Sequence, residues 1–421
     1  MRQLLPPILV FLLITIVPAA KADPERDTLP RPTGCLFIIF DAARADHFSC
    51  YGYPRQTTPN IDSIAREGFL FHNAIAQGSS TKISVPSYLT GYYPRDLPGE
   101  GLVPGQAHTV AEAFLEAEFH TAGFSENPYV TSDFGIDQGF EHFKEYCSFT
   151  DFQAGSEALI KIDTPGMYED ARQWIESVSD ERWFCYIHNL RPHNPYISPE
   201  PYHSKFTGPY KGPADGTTDT LFNLRFSATA EDVAHIKALY DGNLAYADAM
   251  MGHLIDWLRK SGLYENTLII ISSDHGEAFM DHGVLLHGLT VYEEEIRVPL
   301  IVRLPAGKET WRGQTDAQVE LLDLPPFLAR LFSLNGLHQL PQEILWQTMS
   351  GVRRGKHYAF SHSSFRHISV RSPQNKYINF FDENNEQILG RELYDLASDP
   401  KEKNNLLPAG QTNAFGESLI S

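Results

Sequence analysis

The residues best suited to chemistry lie in the stretch Ser272-Ser273-Asp274-His275-Gly276-Glu277. A carboxylate and an imidazole stand side by side there, directly after the apolar run Leu268-Ile269-Ile270-Ile271. Such a run reads as a buried strand, and its carboxyl end is where ligands bind in open α/β sheets. Adjacent Asp and His suit a hard or borderline divalent cation, which takes oxygen and imidazole nitrogen. A second junction of the same kind ends the run Gly34–Phe40 with Asp41. Two sheet-edge carboxylates far apart in sequence point to one metal site assembled by the fold. Read alone, each could equally be a strand-end cap.

The elements that must position these residues alternate between apolar strands and helix-period segments, the pattern of an α/β sheet protein. Strands are predicted at Cys35–Phe40, Trp183–His188, Leu268–Ser272 and Pro299–Arg303, and helices at Asn60–Glu67, Val110–Glu118, Ala230–Lys260 and Ala317–Leu331. The helix from Ala230 carries its apolar residues at helical spacing and feeds into the strand before Asp274. Long loops at 92–106 and 191–218, rich in Pro, Gly and aromatics, are placed to build a pocket. After about Glu343 the texture changes to short alternating runs, His367–Arg371 and Lys376–Phe381, with a turn at 382–385. The division expected is a signal at 1–22, a catalytic domain over 23–343 and a small antiparallel subdomain over 344–421.

Residues 1–22 have the pattern of an export signal: Arg2, an apolar core from Ile8 to Val17, and Ala20-Lys21-Ala22 as a cleavage site. The apolar run is short for an uncleaved anchor. Cleavage would leave a periplasmic or secreted chain with no later membrane span. Removing the signal's two basic residues takes the formal net charge from −19 to −21. That argues against nucleic acid and anionic membrane surfaces, but not against a small anionic substrate, because a metal inverts the field locally. Of the four cysteines, Cys35 and Cys185 read as buried core, and Cys50 with Cys147 is the pair open to a disulfide. The oligomeric state has no signal in the sequence.

Four segments together resemble the sulfatase family of the alkaline phosphatase superfamily. Phe40-Asp41-Ala42-Ala43-Arg44-Ala45-Asp46-His47, with Cys50-Tyr51-Gly52-Tyr53 and Thr58-Pro59-Asn60-Ile61-Asp62, is similar to the family's opening block. Ser84-Val85-Pro86-Ser87-Tyr88-Leu89-Thr90-Gly91 resembles its nucleophile helix and Thr-Gly turn. Ser273–Glu277, then His282-Gly283, His287-Gly288 and Arg297-Val298-Pro299-Leu300, resembles its second metal block, and Glu392–Leu396 with Asp399-Pro400 and Asn404-Asn405-Leu406 its C-terminal tail. The resemblance implies a central, mostly parallel sheet flanked by helices, a small C-terminal antiparallel subdomain and an ester hydrolase using one divalent ion (Ca, Mg, Mn or Zn). Asp41, Thr81, Asp274 and His275 are its implied ligands.

Departures from the family pattern are chemically informative. Counting back ten positions from Gly91, the family's formylglycine position falls on Thr81 and the motif's Arg on Val85. The second Asp usual after Asp41 is Ala42, and Ser125-Glu126-Asn127-Pro128 replaces the family's sulfate-gripping Lys and His, which leaves Asn127 as a substrate contact. A gem-diol releases sulfate by elimination, and threonine has no such exit. A phosphorylated Thr81 could be released by water or an alcohol at phosphorus. Threonine at this place, as the superfamily resemblance implies, points to a phosphoester or phosphonate, cleaved or transferred. A sulfuric ester is the alternative, and an inactive binding protein the third.

Among the remaining candidates, His193 in Arg191-Pro192-His193-Asn194-Pro195-Tyr196 resembles the family's substrate-reaching loop histidine. His287 matches a position near the leaving group and could act as general acid, with His282 the lesser candidate. Lys82 would bind the transferred anion or face solvent. His188, inside a strand, reads as a core histidine, Arg44 as a partner of Asp46, and Glu293-Glu294-Glu295 as a solvated turn.

Overall fold

The computed structural model describes residues 32–97, 101–148, 159, 161–305, 311–337, 344–352, 355–364, 367–382 and 387–407. The signal read at 1–22 lies outside the described residues, as does the turn expected at 382–385 apart from Asp382.

In chain order the strands are β1 (Gly34–Phe40), β2 (Phe69–Ile75), β3 (His120–Ser125), β4 (His142–Glu145), β5 (Trp183–Asn189), β6 (Thr267–Ser272), β7 (Ala278–Phe279), β8 (Leu285–Leu286), β9 (Arg297–Arg303) and β10 (Gly313–Glu320). All but β7 and β8, which pair as a short hairpin, form one eight-stranded sheet in the order β10-β2-β9-β6-β1-β5-β3-β4. Only β9 runs antiparallel to its neighbours. The helices used below are α1 (Pro59–Glu67), α2 (Thr81–Thr90), α3 (Val110–Glu116), α4 (Thr164–Ser177), α5 (Thr218–Asn223), α6 (Ala230–Ser261), α7 (Glu293–Ile296) and α8 (Leu324–Phe332).

Both faces of the sheet are covered, which is why its strands are apolar throughout rather than alternating. Cys35, Phe37 and Ile39 of β1 pack with Val85, Tyr88 and Leu89 of α2, with α3 and with α8. Leu36, Ile38 and Phe40 face the other way, onto α1, α4 and the stripe Leu244, Met251 and Leu254 of α6. Helix α6 is closed at its start by a reciprocal Thr229–Asp232 capping box and at its end by Gly262 at φ 80°.

A second sheet of β11 (Ala359–His362), β12 (His367–Arg371), β13 (Asn375–Phe381) and β14 (Ile388–Asp395) is antiparallel throughout. Ile378, Tyr394 and Leu396 bring its inner face onto Ile75, Val291, Tyr292 and Ile296 of the main body.

Three expectations are corrected. The helix expected at Ala317–Leu331 is split. Residues to Glu320 pair with β2 as β10, and helix begins only at Leu324, where Pro325 and Pro326 fit a first turn that needs no N–H. Cys50 and Cys147 lie in separate apolar clusters and are not joined in a disulfide. Glu293, Glu294 and Glu295 are not solvated: all three are buried in α7.

Candidate active site

Parallel pairing brings the candidate residues to one sheet edge. Ile39 of β1 lies opposite Ser272 of β6 and His188 of β5, so the next turns carry Asp41 and Asp274 out abreast. The β1 turn is held by Asp274 Oδ1, which accepts from Ala42 N at 3.2 Å, and by Ser273 Oγ, which accepts from Ala43 N at 2.8 Å. Tyr240 of α6 clamps the same turn, accepting from Arg44 N and donating to Ala42 O, each at 2.9 Å.

Asp41, His188, Asp274 and His275 are all fully buried around this junction. His275 Nε2 lies 3.6 Å from both Asp41 Oδ1 and Asp274 Oδ2. His188 Nε2 lies 3.4 Å from Asp41 Oδ2 and 4.0 Å from Asp274 Oδ2. Asp41, His188 and Asp274 each offer an atom within 4.8 Å of the others. Among the described residues nothing donates a hydrogen bond to Asp41 Oδ1 or Asp274 Oδ2. Two bare carboxylate oxygens out of water are strongly unfavourable without a cation or proton between them. Burial pushes the Asp41 carboxyl up, and the imidazoles of His193, His188 and His275 more than reverse this, holding it well below the usual range. For His275 burial works downward, and Asp274 and Asp41 hold its pKa above the ordinary value.

Thr81 is the first residue of α2 and is nearly buried. Its Oγ1 lies 3.4 Å from His275 Nε2 and 3.3 Å from Asn127 Nδ2, and the same Asn127 amide donates to Asp41 Oδ2. Thr81 and Lys82 open α2, where the first N–H groups of a helix have no carbonyl of its own to bond, and Ile83 N donates to Ser80 O at 3.1 Å.

Beyond Thr81 opens a cleft of about 290 Å³ lined by Lys82, Asn127, His193, Arg225 and His287, with Leu190, Phe222 and Leu286 among its apolar walls. Lys82, which lines the cleft, has its Nζ 4.3 Å over the Tyr129 ring. His193 Nδ1 is held by Asn194 O at 2.6 Å and His287 Nδ1 by Glu277 Oε1 at 2.9 Å, which leaves each Nε2 for the cleft. The Glu277 carboxylate is itself fixed by Tyr196 OH at 2.8 Å.

All eight sequence-derived site residues therefore meet at one place. His282 does not: its ring nitrogens are taken by Glu294 Oε1 at 2.6 Å and Glu402 O at 3.0 Å. Arg44 is paired with Asp46 at 2.8 Å and Asp281 at 2.7 Å, as its pairing with Asp46 led one to expect. His188 is a buried strand histidine as expected, with Tyr186 at one ring nitrogen, and its other ring nitrogen faces the Asp41–Asp274 pair. The signal was available: His188-Asn189 is a polar pair at the carboxyl end of an otherwise apolar strand, opposite Ile39-Phe40 and just short of Asp41. Arg225 and Glu277 were also missed, Arg225 because nothing local marks the loop after α5.

Residues 35–334 match the family described as Sulfatase, and residues 281–420 the family described as N-sulphoglucosamine sulphohydrolase, C-terminal. The chain belongs to the sulfatase family. It is a sulfatase-family ester hydrolase, of the phosphoric or sulfuric ester type. It is 24% identical over 424 residues to the uncharacterized sulfatase YidJ of Escherichia coli, covering 88% of this chain and 82% of the relative. It is 23% identical over 503 residues to the N-acetylglucosamine-6-O-sulfatase of Bacteroides thetaiotaomicron, covering 95% and 87%. The phosphonate monoester hydrolase of Agrobacterium radiobacter shares the fold at a TM-score of 0.75 and 22% identity, over 93% of this chain and 94% of that one. Sulfatase-family enzymes use a divalent metal ion, and the bare oxygens of Asp41 and Asp274 fit one. Among the described residues no helix is long and apolar enough to cross a membrane.

Proposed function

We propose that this sulfatase-family chain is an exported hydrolase that cleaves a small phosphoester or phosphonate ester through Thr81. The observation that carries the reading is the Thr81 hydroxyl at the start of α2, 3.4 Å from His275 Nε2, at the position that the sequence resemblance aligns with the family's formylglycine. Asp41, Asp274, His275 and Thr81 would hold the divalent ion. When bound, that ion supplies the positive charge that lets a hydroxyl ionise at neutral pH.

The chain's own residues do the rest. Thr81 Oγ1 forms a bond to phosphorus as the ester P–O bond breaks. Lys82, Asn127 and the first N–H groups of α2 face the equatorial oxygens of the group in transit. The leaving alkoxide takes its proton from Nε2 of His193 or His287, both of which open onto the cleft. Water, or an acceptor alcohol, then releases the group from Thr81. Export rests on the apolar core and small-residue site within residues 1–22.

A second reading, hydrolysis of a sulfuric ester, draws on the substrate named for the Bacteroides relative. The two are separated with metal-reconstituted protein and four aryl esters: sulfate, phosphate monoester, phosphate diester and phosphonate. Turnover of phosphorus esters that Thr81→Ala abolishes is the expected result. Sulfate turnover that survives Thr81→Ala would overturn it. Tight anion binding without turnover of any of the four would favour a binding protein.

A further inference from the structure

We infer that His188 is a metal ligand of this chain, and that the resulting pair of imidazoles makes the site selective for a borderline transition cation, such as Zn²⁺, over Ca²⁺ and Mg²⁺. The inference rests on the reading that the Asp41–Asp274 cluster holds a cation, and it concerns which donors and which ion.

The argument is a count of free donor atoms. Of the four carboxylate oxygens, Asp274 Oδ1 already accepts from Ala42 N at 3.2 Å and His275 N at 3.0 Å. Asp41 Oδ2 accepts from the Asn127 amide. The carbonyl of that amide is occupied too, because Asn127 Oδ1 accepts from Tyr129 N at 2.7 Å, which also fixes which way the amide points. Only Asp41 Oδ1 and Asp274 Oδ2 remain bare. At the position after Asp41, Ala42 brings no further oxygen donor from its side chain.

Nitrogen fills the gap. His188 has no solvent exposure, and its Nε2 lies 3.4 Å from Asp41 Oδ2 and 4.0 Å from Asp274 Oδ2. Its Nδ1 is tied to Tyr186 OH at 2.8 Å, and that hydroxyl meets Tyr88 OH at 2.8 Å, so Nε2 is the nitrogen turned toward the carboxylates. His275 is oriented in the same manner, with Nδ1 at 2.8 Å from Gly276 O. Ligating histidines are held through their second ring nitrogen in this way. The set is two carboxylate oxygens and two imidazole nitrogens, with Thr81 Oγ1 beside them. Ca²⁺ takes six to eight oxygens and Mg²⁺ near-octahedral oxygen, whereas imidazole suits Zn²⁺ and its neighbours.

The test uses the full chain stripped of metal. Calorimetric titration of the unaltered protein should show Zn²⁺ and Co²⁺ binding at least about 100-fold more tightly than Ca²⁺ or Mg²⁺. Loaded with Cu²⁺, it should show hyperfine coupling to two imidazole nitrogens in electron paramagnetic resonance. His188→Gln, checked for native circular dichroism, should show one, and should lose more than the about 10–100-fold in Zn²⁺ affinity that removal of a supporting partner costs. Ca²⁺ bound as tightly as Zn²⁺, or a single coupled nitrogen in the unaltered protein, overturns the inference while leaving the proposed function intact. Binding of none of these cations overturns both.

Discussion

Two regions of this protein bury charge equally deeply and treat it in opposite ways. Beneath the C-terminal sheet, Glu293 of α7 meets Arg371 Nε at 2.9 Å and Arg371 Nη2 at 3.0 Å, with Lys376 Nζ at 3.4 Å. Lys376 continues to Glu402 at 3.0 Å, and Glu402 accepts from Glu293 N at 2.7 Å. Two acids are paired with three bases there, because Arg297 Nε also lies 3.9 Å from Glu293. At the edge of the main sheet, imidazoles are the only ion-pair partners of Asp41 and Asp274 among the described residues, and two of their oxygens accept no hydrogen bond. Burial alone therefore does not mark a functional site. A buried charge set that the chain does not complete does mark one, because something from outside must complete it.

The contrast is sharpest under mutation. Glu293→Ala strands Arg371 and Lys376 with one acid between them and should cost about 3–5 kcal/mol in denaturant unfolding, with or without divalent ions. Asp274→Asn should do the reverse: the metal-free protein should become no less stable, since one of two buried, adjacent carboxylates that each carry an unpartnered oxygen is neutralised. In return it should lose the stabilisation of about 2.7 kcal/mol that a cation at 100 times its Kd confers. If Asp274→Asn instead destabilises the metal-free chain as Glu293→Ala does, the two regions are alike and the contrast fails.

The sequence carried much of this, though unevenly. Strands buried on both faces announce themselves as continuous apolar runs, so β1, β5, β6 and β9 were legible, and with them the sheet edge bearing Asp41 and Asp274. Edge strand β10 is largely polar and was misread as helix, because Ala317, Leu321 and Leu324 happen to fall at helical spacing across a strand–helix junction. The Glu293-Glu294-Glu295 run looked solvated because its neutralising partners, Arg371 and Lys376, lie some eighty residues away. His188 was hidden for the opposite reason: strand context suggested core, and only the register with β1, which sets it opposite Ile39, brings it to the sheet edge that carries Asp41.

Two smaller effects probe how each region is tuned. Glu277→Gln leaves a neutral amide at His287 Nδ1, so the ring loses the carboxylate that orients it and favours its charged form. The expected outcome is a fall in kcat of about 10²-fold at nearly constant KM, with unfolding stability little changed. Equal loss in KM would mean that His287 only binds.

Glu295 is pushed up to about 8, chiefly by burial and further by Glu294, against the Gly288 N–H and Thr290 hydroxyl that it accepts from. Its folded pKa lies above its unfolded one, so the folded state holds the proton longer. Stability is therefore lost as pH rises from the unfolded pKa through about 8. Glu295→Gln should match the parent at pH values near 4, below the unfolded pKa of a glutamate. It should exceed the parent by on the order of 1–2 kcal/mol near pH 9. Parallel pH profiles of the two proteins would contradict this.

The most direct test of the central claim is an acid quench during turnover of an aryl phosphate or phosphonate by metal-loaded protein, followed by mass spectrometry of the peptide bearing position 81. A phosphoryl or phosphonyl adduct on Thr81, formed only when divalent ion is present, is the result expected. Rapid turnover of the ester by Thr81→Ala, or an adduct on another side chain, would contradict it.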